Sequence, residues 1–317
     1  MATLLSIIGF AFLIMETLTG MVANGFIVLI NCIDWFRRRK QSPTDLILTC
    51  LGFSRLLWQA TLMLHMTRVS FFQHIYILQR GHLRLMIAIM WLFTNAINLW
   101  FAAWLSVLYF VKIATFSHSV FLRAKLRFSG LVPWLLLSSV VFSAFMTIID
   151  TAETSSQFTV VDRYKLLLTN SCDSETETPL SSSHFGITVI ATNFMPSVIF
   201  LSSMILLIIS LWKHIRHLQR SGIRVRDLST QVHLSAIKAL ASFAILYLSS
   251  FVALTLQSTL AWKSNDPSRR LSVLFHNVSA LYPSVHAIIL ILINPKLKQA
   301  WVKMIQRLKC PLRERPS

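Results

Sequence analysis

The sequence predicts an all-α membrane protein: a seven-transmembrane helix bundle with its N-terminus outside and its C-terminus cytoplasmic. Three observations carry that expectation. The 317 residues are 55% hydrophobic and only 13% charged, whereas soluble proteins carry about 25% charged residues. The apolar residues gather in seven runs, about 5–33, 45–70, 83–112, 131–150, 185–212, 234–260 and 271–293, each long enough for the roughly 20 residues that cross a hydrocarbon core. The basic residues, finally, fall unevenly on the segments between the runs, as the positive-inside rule requires.

Taken in order, the first run has no basic residue before it and is too long for the apolar region of a cleaved signal, so it is expected to insert and stay. Arg37, Arg38, Arg39 and Lys40 follow it and hold the first loop inside. The second run carries Arg55 in its middle. The third ends at Lys112, and Arg123, Lys125 and Arg127 mark the next inner loop. After the fourth run comes a polar stretch, 150–184, rich in Ser and Thr, with six of the chain's 12 acidic residues between Asp150 and Glu177. It reads as an outer, partly mobile loop. The fifth run leads into Lys213, Arg216, Arg220, Arg224 and Arg226, and the seventh into a basic cytoplasmic tail, 294–317. Twenty of the 30 Lys and Arg thus lie on one side, eight on the other, and Arg55 and Lys238 lie within runs. A shift by one span would invert the bias. The net charge of +18 therefore reads as orientation signal plus attraction to anionic lipid, with no nucleic-acid partner. The chain reads as a single domain over 1–317.

Cys32 and Cys50 fall near the inner ends of the first two runs, Cys172 is alone in the outer loop, and Cys310 lies in the tail. No cysteine begins the third run, so no disulfide can tie it to Cys172. Cys310 is open to two readings, a free thiol or a palmitoylation site. Pro133 falls near a run's end, whereas Pro196 and Pro283 lie deeper, where a proline frees a carbonyl and kinks the helix.

Arg55 poses the main chemical question. Ten residues beyond Asp45, at about 1.5 Å each, it lies roughly 15 Å deep. A central Arg costs about 2.5–3.5 kcal/mol to insert, so it should turn into the bundle and find acceptors. Asn24, carbonyls near Pro283, and Ser284 or His286 are the candidates. The expectation is a structural polar knot of Asn24, Arg55 and His286 joining the first, second and seventh spans.

In "WLFTNAINLW", Trp91 and Asn95 are four apart and share a helix face. Two readings stand open: a ring and an amide that seat an organic ligand, or a packing Trp and an interhelical Asn. His65, Phe194, Phe251, Gln257, His276 and Ser279 lie on other outer half-spans and carry the same two readings. The basic stretches around Lys112 and over 213–216 are either lipid-facing ends or a surface for a partner. No HExxH, GxSxG or phosphate-cradling glycine loop occurs. The expectation is no enzyme, no cofactor and no metal. A transporter would need midplane acids and matched broken helices, but Glu16 is the one acid well inside a run.

These residues also carry a resemblance. "NGFIVLINC" at 24–32, "LTCLGFSR" at 48–55, "WLSVLYFVKIATFSHSVFLRAKLR" at 104–127, "SLWKHI" at 210–215, "HLSAIKALASFAILY" at 233–247 and "YPSVHAIILILINPKLKQA" at 282–300 together resemble the type 2 (bitter) taste receptors, a family of G-protein-coupled receptors. The resemblance implies a plasma-membrane, multi-pass receptor that binds bitter small molecules in an outer-half cavity and activates a gustducin-type heterotrimeric G protein. It places the family's ligand-contacting Trp and Asn on Trp91 and Asn95, its arginine on Arg55, and its G-protein contacts on Lys112 and on Lys213, His214 and Arg216. The sequence departs from the family pattern at Leu108, Ala287 and Ser250, and 150–184 lacks an Asn-x-Ser/Thr acceptor, Asn170-Ser171-Cys172 being the nearest substitute.

Overall fold

In the computed structural model the backbone is described for residues 2–39, 41–71, 80–113, 119–168, 180–220, 228–263 and 269–313, with side chains for 7–39, 41–67, 86–113, 127–152, 192–213, 215–216, 237–257, 271 and 273–307. These residues form eight helices: α1 (Ala2–Arg38), α2 (Pro43–Phe71), α3 (Arg80–Ile113), α4 (Ser119–Leu168), α5 (Leu180–Arg220), α6 (Leu228–Lys263), α7 (Arg269–Ile293) and α8 (Pro295–Arg313). Each of α1 to α7 contains a stretch long and apolar enough to cross a membrane. The chain is a seven-span helical bundle with an added eighth helix.

One element differs from the sequence reading and one adds to it. The polar stretch after Asp150 is not a loop from its start, because α4 continues to Leu168. No Gly or Pro stands between Pro133 and Leu168, and Ser and Thr lower helix propensity by only tenths of a kcal/mol each. Pro133 accordingly lies well inside α4 rather than near its end. The basic tail, in turn, is largely helical. The Asn294 carboxamide oxygen accepts from the backbone amides of Lys296 (3.1 Å) and Leu297 (3.5 Å), and Pro295 occupies the first helical position, which needs no donor. Leu297 is fully buried, Trp301 meets Phe26 edge-on at 5.1 Å, and Lys298, Lys303 and Arg307 face outward. An amphipathic stripe of this kind needs a surface to lie on, and the ends of α1 and α7 supply it.

Residues such as Trp134, Val141 and Phe145 on α4 and Ile245 on α6 are exposed, the arrangement expected where the surrounding solvent is hydrocarbon. Inside, Leu105, Leu108, Met204, Leu207, Tyr247 and Leu290 form one core. Helices in lipid associate through close contact and hydrogen bonds rather than the hydrophobic effect, and α1 shows how close. A Cβ on Gly52 would stand 2.9 Å from Val28 and 3.2 Å from the Asn24 carbonyl, and one on Gly20 would collide with the Gln59 amide and the Ser284 hydroxyl. α1 ends at Arg39, whose amide bonds the Trp35 carbonyl at 2.8 Å with φ at 51°, a left-handed helix cap.

Overpacking a tight contact costs about 1–3 kcal/mol, enough to change folded abundance several-fold. Gly20→Ala should therefore lower the folded abundance of the tagged protein in the membrane fraction several-fold, measured by immunoblot, while Gly25→Ala, where a Cβ meets nothing within 4 Å, should leave it unchanged. Equal levels for the two variants would contradict this packing.

Candidate functional site

The knot around Arg55 forms with the expected His286, but with Asn98 in place of Asn24. Arg55 is fully buried. Its Nε donates to the Asn98 Oδ1 at 3.2 Å, and its Nη2 lies 2.6 Å from the His286 Nδ1. Since Nη2 can only donate, Nδ1 accepts and the imidazole proton sits on Nε2. The guanidinium carbon is 4.9 Å from the centre of the Tyr282 ring, within cation–π range. The knot thus joins α2, α3 and α7. Among the described residues no carboxylate pairs with Arg55, so its acceptors are neutral.

Asn24 serves a neighbouring junction rather than Arg55. Its amide donates to the carbonyls of Gly20 (2.9 Å) and Pro283 (3.4 Å), which holds α1 to α7. Ser284 bonds Gln59 at 3.1 Å instead of Arg55. Pro283 has no N–H for the carbonyl four residues back, and that carbonyl, of Ser279, accepts from the Ser250 hydroxyl at 3.4 Å. Asn98 was the partner missed in the sequence. A signal for it existed: it is three residues beyond Asn95 and so lies on the Trp91–Asn95 face.

A buried aromatic chain continues the knot toward α5 and α6. His286 stands 4.1 Å from Phe243 and 5.3 Å from Tyr282, Tyr282 meets Tyr247 edge-on at 5.3 Å, and Tyr247 stacks on Phe200 at 4.0 Å. The Tyr247 hydroxyl reaches the Ser197 hydroxyl at 3.0 Å. Ser106 of α3 donates to the Phe200 carbonyl at 3.2 Å and meets Ser203. Five helices therefore meet through one connected set of rings and polar groups.

Toward the end of the bundle opposite α8, the structure brings several candidate ligand residues together. His65 of α2 stacks on His276 of α7 at 5.9 Å, and the Gln257 amide of α6 lies 3.3 Å from the His276 Nε2. Half-buried Trp91 packs on the cluster of Leu13, Trp58, Leu62, Met66 and Ala280. Ser279 is buried and donates to the Phe275 carbonyl at 2.8 Å. The Asn95 amide donates to the Asn193 Oδ1 of α5 at 3.2 Å. Phe251 is half-buried on α6. Phe194 is not brought into this group: it is 56% exposed, beside exposed Val198 and Ile205, because it sits about 100° around α5 from buried Asn193.

At the α8 end the basic side chains lie outward. Lys112 is exposed and donates to the Thr44 hydroxyl, Lys213 is exposed, and the Arg216 guanidinium covers the Trp212 ring at 5.4 Å. Lys296 of α8 reaches Asp34 (2.9 Å), Asp45 (3.4 Å) and the Asn31 carboxamide oxygen (2.9 Å). The side chains of His214 and Cys310, and all of Asn170 to Cys172, lie outside the described residues.

Comparison with known proteins addresses identity directly. A family model described as "Taste receptor protein (TAS2R)" matches residues 1–309. Taste receptor type 2 member 7 of Macaca mulatta is 35% identical over 293 residues, covering 92% of this chain and 90% of that protein. Taste receptor type 2 member 119 of Rattus norvegicus is 36% identical over 304 residues, covering 95% and 85%. With the match running through all seven spans and into α8, the chain belongs to the type 2 (bitter) taste receptor family.

Proposed function

We propose that this receptor sits in the plasma membrane with α8 on the cytoplasmic side, binds bitter small molecules among the outer halves of α2, α3, α6 and α7, and activates a gustducin-type heterotrimeric G protein. The observation that carries the reading is the stripe on α3. Trp91, Asn95 and Asn98 share one face, and Asn98 holds Arg55. Asn95 and Asn98 are only about 4.5 Å apart along the axis. A ligand that draws Asn95 away from Asn193 acts on the same helix face that supplies an acceptor to the knot. From there the rings of Tyr282, His286, Phe243 and Tyr247 lead to α5 and α6, whose α8 ends carry the exposed basic residues that face the G protein.

The direct test is a panel of bitter compounds on cells carrying the receptor and a promiscuous Gα, read by calcium release. No response to any compound at verified surface level would overturn the proposal.

Three outcomes follow for variants. Trp91→Ala should weaken agonists that stack on the ring by roughly ten- to a hundredfold, about 1–3 kcal/mol, and Asn95→Ala should penalise only agonists with a hydrogen-bonding partner for the amide. Dose–response curves normalised to surface level check this, and identical shifts for every agonist would return both residues to packing.

Arg55→Ala should depress the response to all agonists alike, since the knot is common to every active state. Asn98→Ala should do the same more weakly, and the double variant should fall short of the sum, because contacting residues couple by about 0.5–3 kcal/mol. Strictly additive losses would separate the two side chains.

Lys213→Ala combined with His214→Ala should lower G-protein activation while agonist binding persists. Unchanged signalling at matched surface level would remove this stretch from the coupling surface.

A further inference from the structure

A second, smaller site adjoins Asn95, between α3, α4 and α5. Leu92 and Asn95 of α3, Thr147 and Asp150 of α4, and Thr192 and Asn193 of α5 line a cavity of about 10 Å³. That volume admits about one water-sized particle. It is too small for the body of an organic agonist. The lining is built, not incidental. Asp150 is 5% exposed, Thr147 5%, Asn193 6% and Thr192 8%, so a carboxylate, two amides and two hydroxyls are withdrawn from water together.

The Thr192 hydroxyl has no hydrogen-bond partner among the described residues. The Thr147 hydroxyl donates to the Ser143 carbonyl at 2.8 Å, which leaves its oxygen lone pairs to accept. A buried hydroxyl without a partner forgoes a hydrogen bond worth keeping. The side-chain donors are all oxygen, with no sulfur or imidazole among them, a set that selects hard cations. One carboxylate supplies one formal charge. Among the described lining residues Asp150 is the one carboxylate, which balances a monovalent ion rather than a divalent one.

We propose that this cavity between α3, α4 and α5 is a sodium-ion site, with Asp150 neutralising the ion and Thr192, Thr147 and the Asn193 carboxamide as further oxygen ligands. The ion stabilises the bundle where α4, the most outward-facing of the helices, joins α3 and α5. The site borders Asn95 but does not depend on the agonist reading.

The test uses the full-length receptor in lipid nanodiscs without agonist. Its thermal unfolding is followed while sodium chloride replaces N-methyl-D-glucamine chloride at constant ionic strength. An ion that binds only the folded state raises the midpoint and does so saturably. The wild type should gain a few degrees and saturate. Asp150→Asn should abolish the gain, and Thr192→Val should move half-saturation to roughly tenfold higher sodium. If Asp150→Asn gives no folded receptor, Thr192→Val decides: a displaced curve supports the site and a coincident one overturns it. A wild-type midpoint that ignores sodium, or a gain that survives in Asp150→Asn, also overturns it. No agonist enters the measurement, so a failed bitter-compound panel would leave this result standing, and the reverse.

Discussion

The bundle is organised around one guanidinium that cannot reach water. A charge at the membrane centre costs about 2.5–3.5 kcal/mol on insertion scales, and an Arg that keeps unmade bonds there costs more. Arg55 meets most of this constraint by drawing acceptors from two other helices, the Asn98 carboxamide and the His286 ring, with the Tyr282 face alongside, while its Nη1 has no hydrogen-bond partner among the described residues. Each contact fixes the rotation of a helix about its own axis. Because the acceptors are neutral, a shift of α3 or α7 can exchange one partner for another without separating an ion pair. On the proposed function, that suits an element lying between the ligand site and the coupling surface.

The same constraint explains the neighbouring junctions. Pro283 removes a backbone donor in the membrane, where no solvent replaces it. Ser250 satisfies the freed Ser279 carbonyl, and Asn24 takes the carbonyl of Pro283 itself. Asn24 reaches that carbonyl because Gly20 and Gly52 let α1 lie against α7 and α2. Small residues and buried amides thus do in lipid what a hydrophobic core does in water.

The two ends of the bundle differ in kind. At the α8 end, charged side chains stand outward, and Lys296 reaches Asp34 and Asp45 at the ends of two other helices. Such half-buried pairs near the surface contribute modest stability, and buried Leu297 and the contact of Trp301 with Phe26 also seat α8. At the opposite end polar groups are turned inward, as in the histidine pair on α2 and α7 and the oxygen-lined cavity between α3, α4 and α5. One end thus presents outward charge and the other presents inward polar groups.

The sequence by itself determined the number of spans and the shared face of Trp91 and Asn95. Each of these follows from local properties: apolar length against membrane thickness, and the helical repeat. It also pointed to His286, because a central Arg demands an acceptor and the seventh run offered one. It misjudged the end of α4, where polarity was taken to end a helix although no Gly or Pro stands there, and it made no statement about the helix in the basic tail. The choice of Asn98 over Asn24, the placement of Phe194 on the outward face of α5, and the meeting of Asp150 with Asn95 and Thr192 were decided by the tertiary structure alone. These depend on how each helix is rotated against its neighbours. That rotation is set jointly by side chains from helices far apart in sequence, such as Arg55 and His286, and no local window contains it.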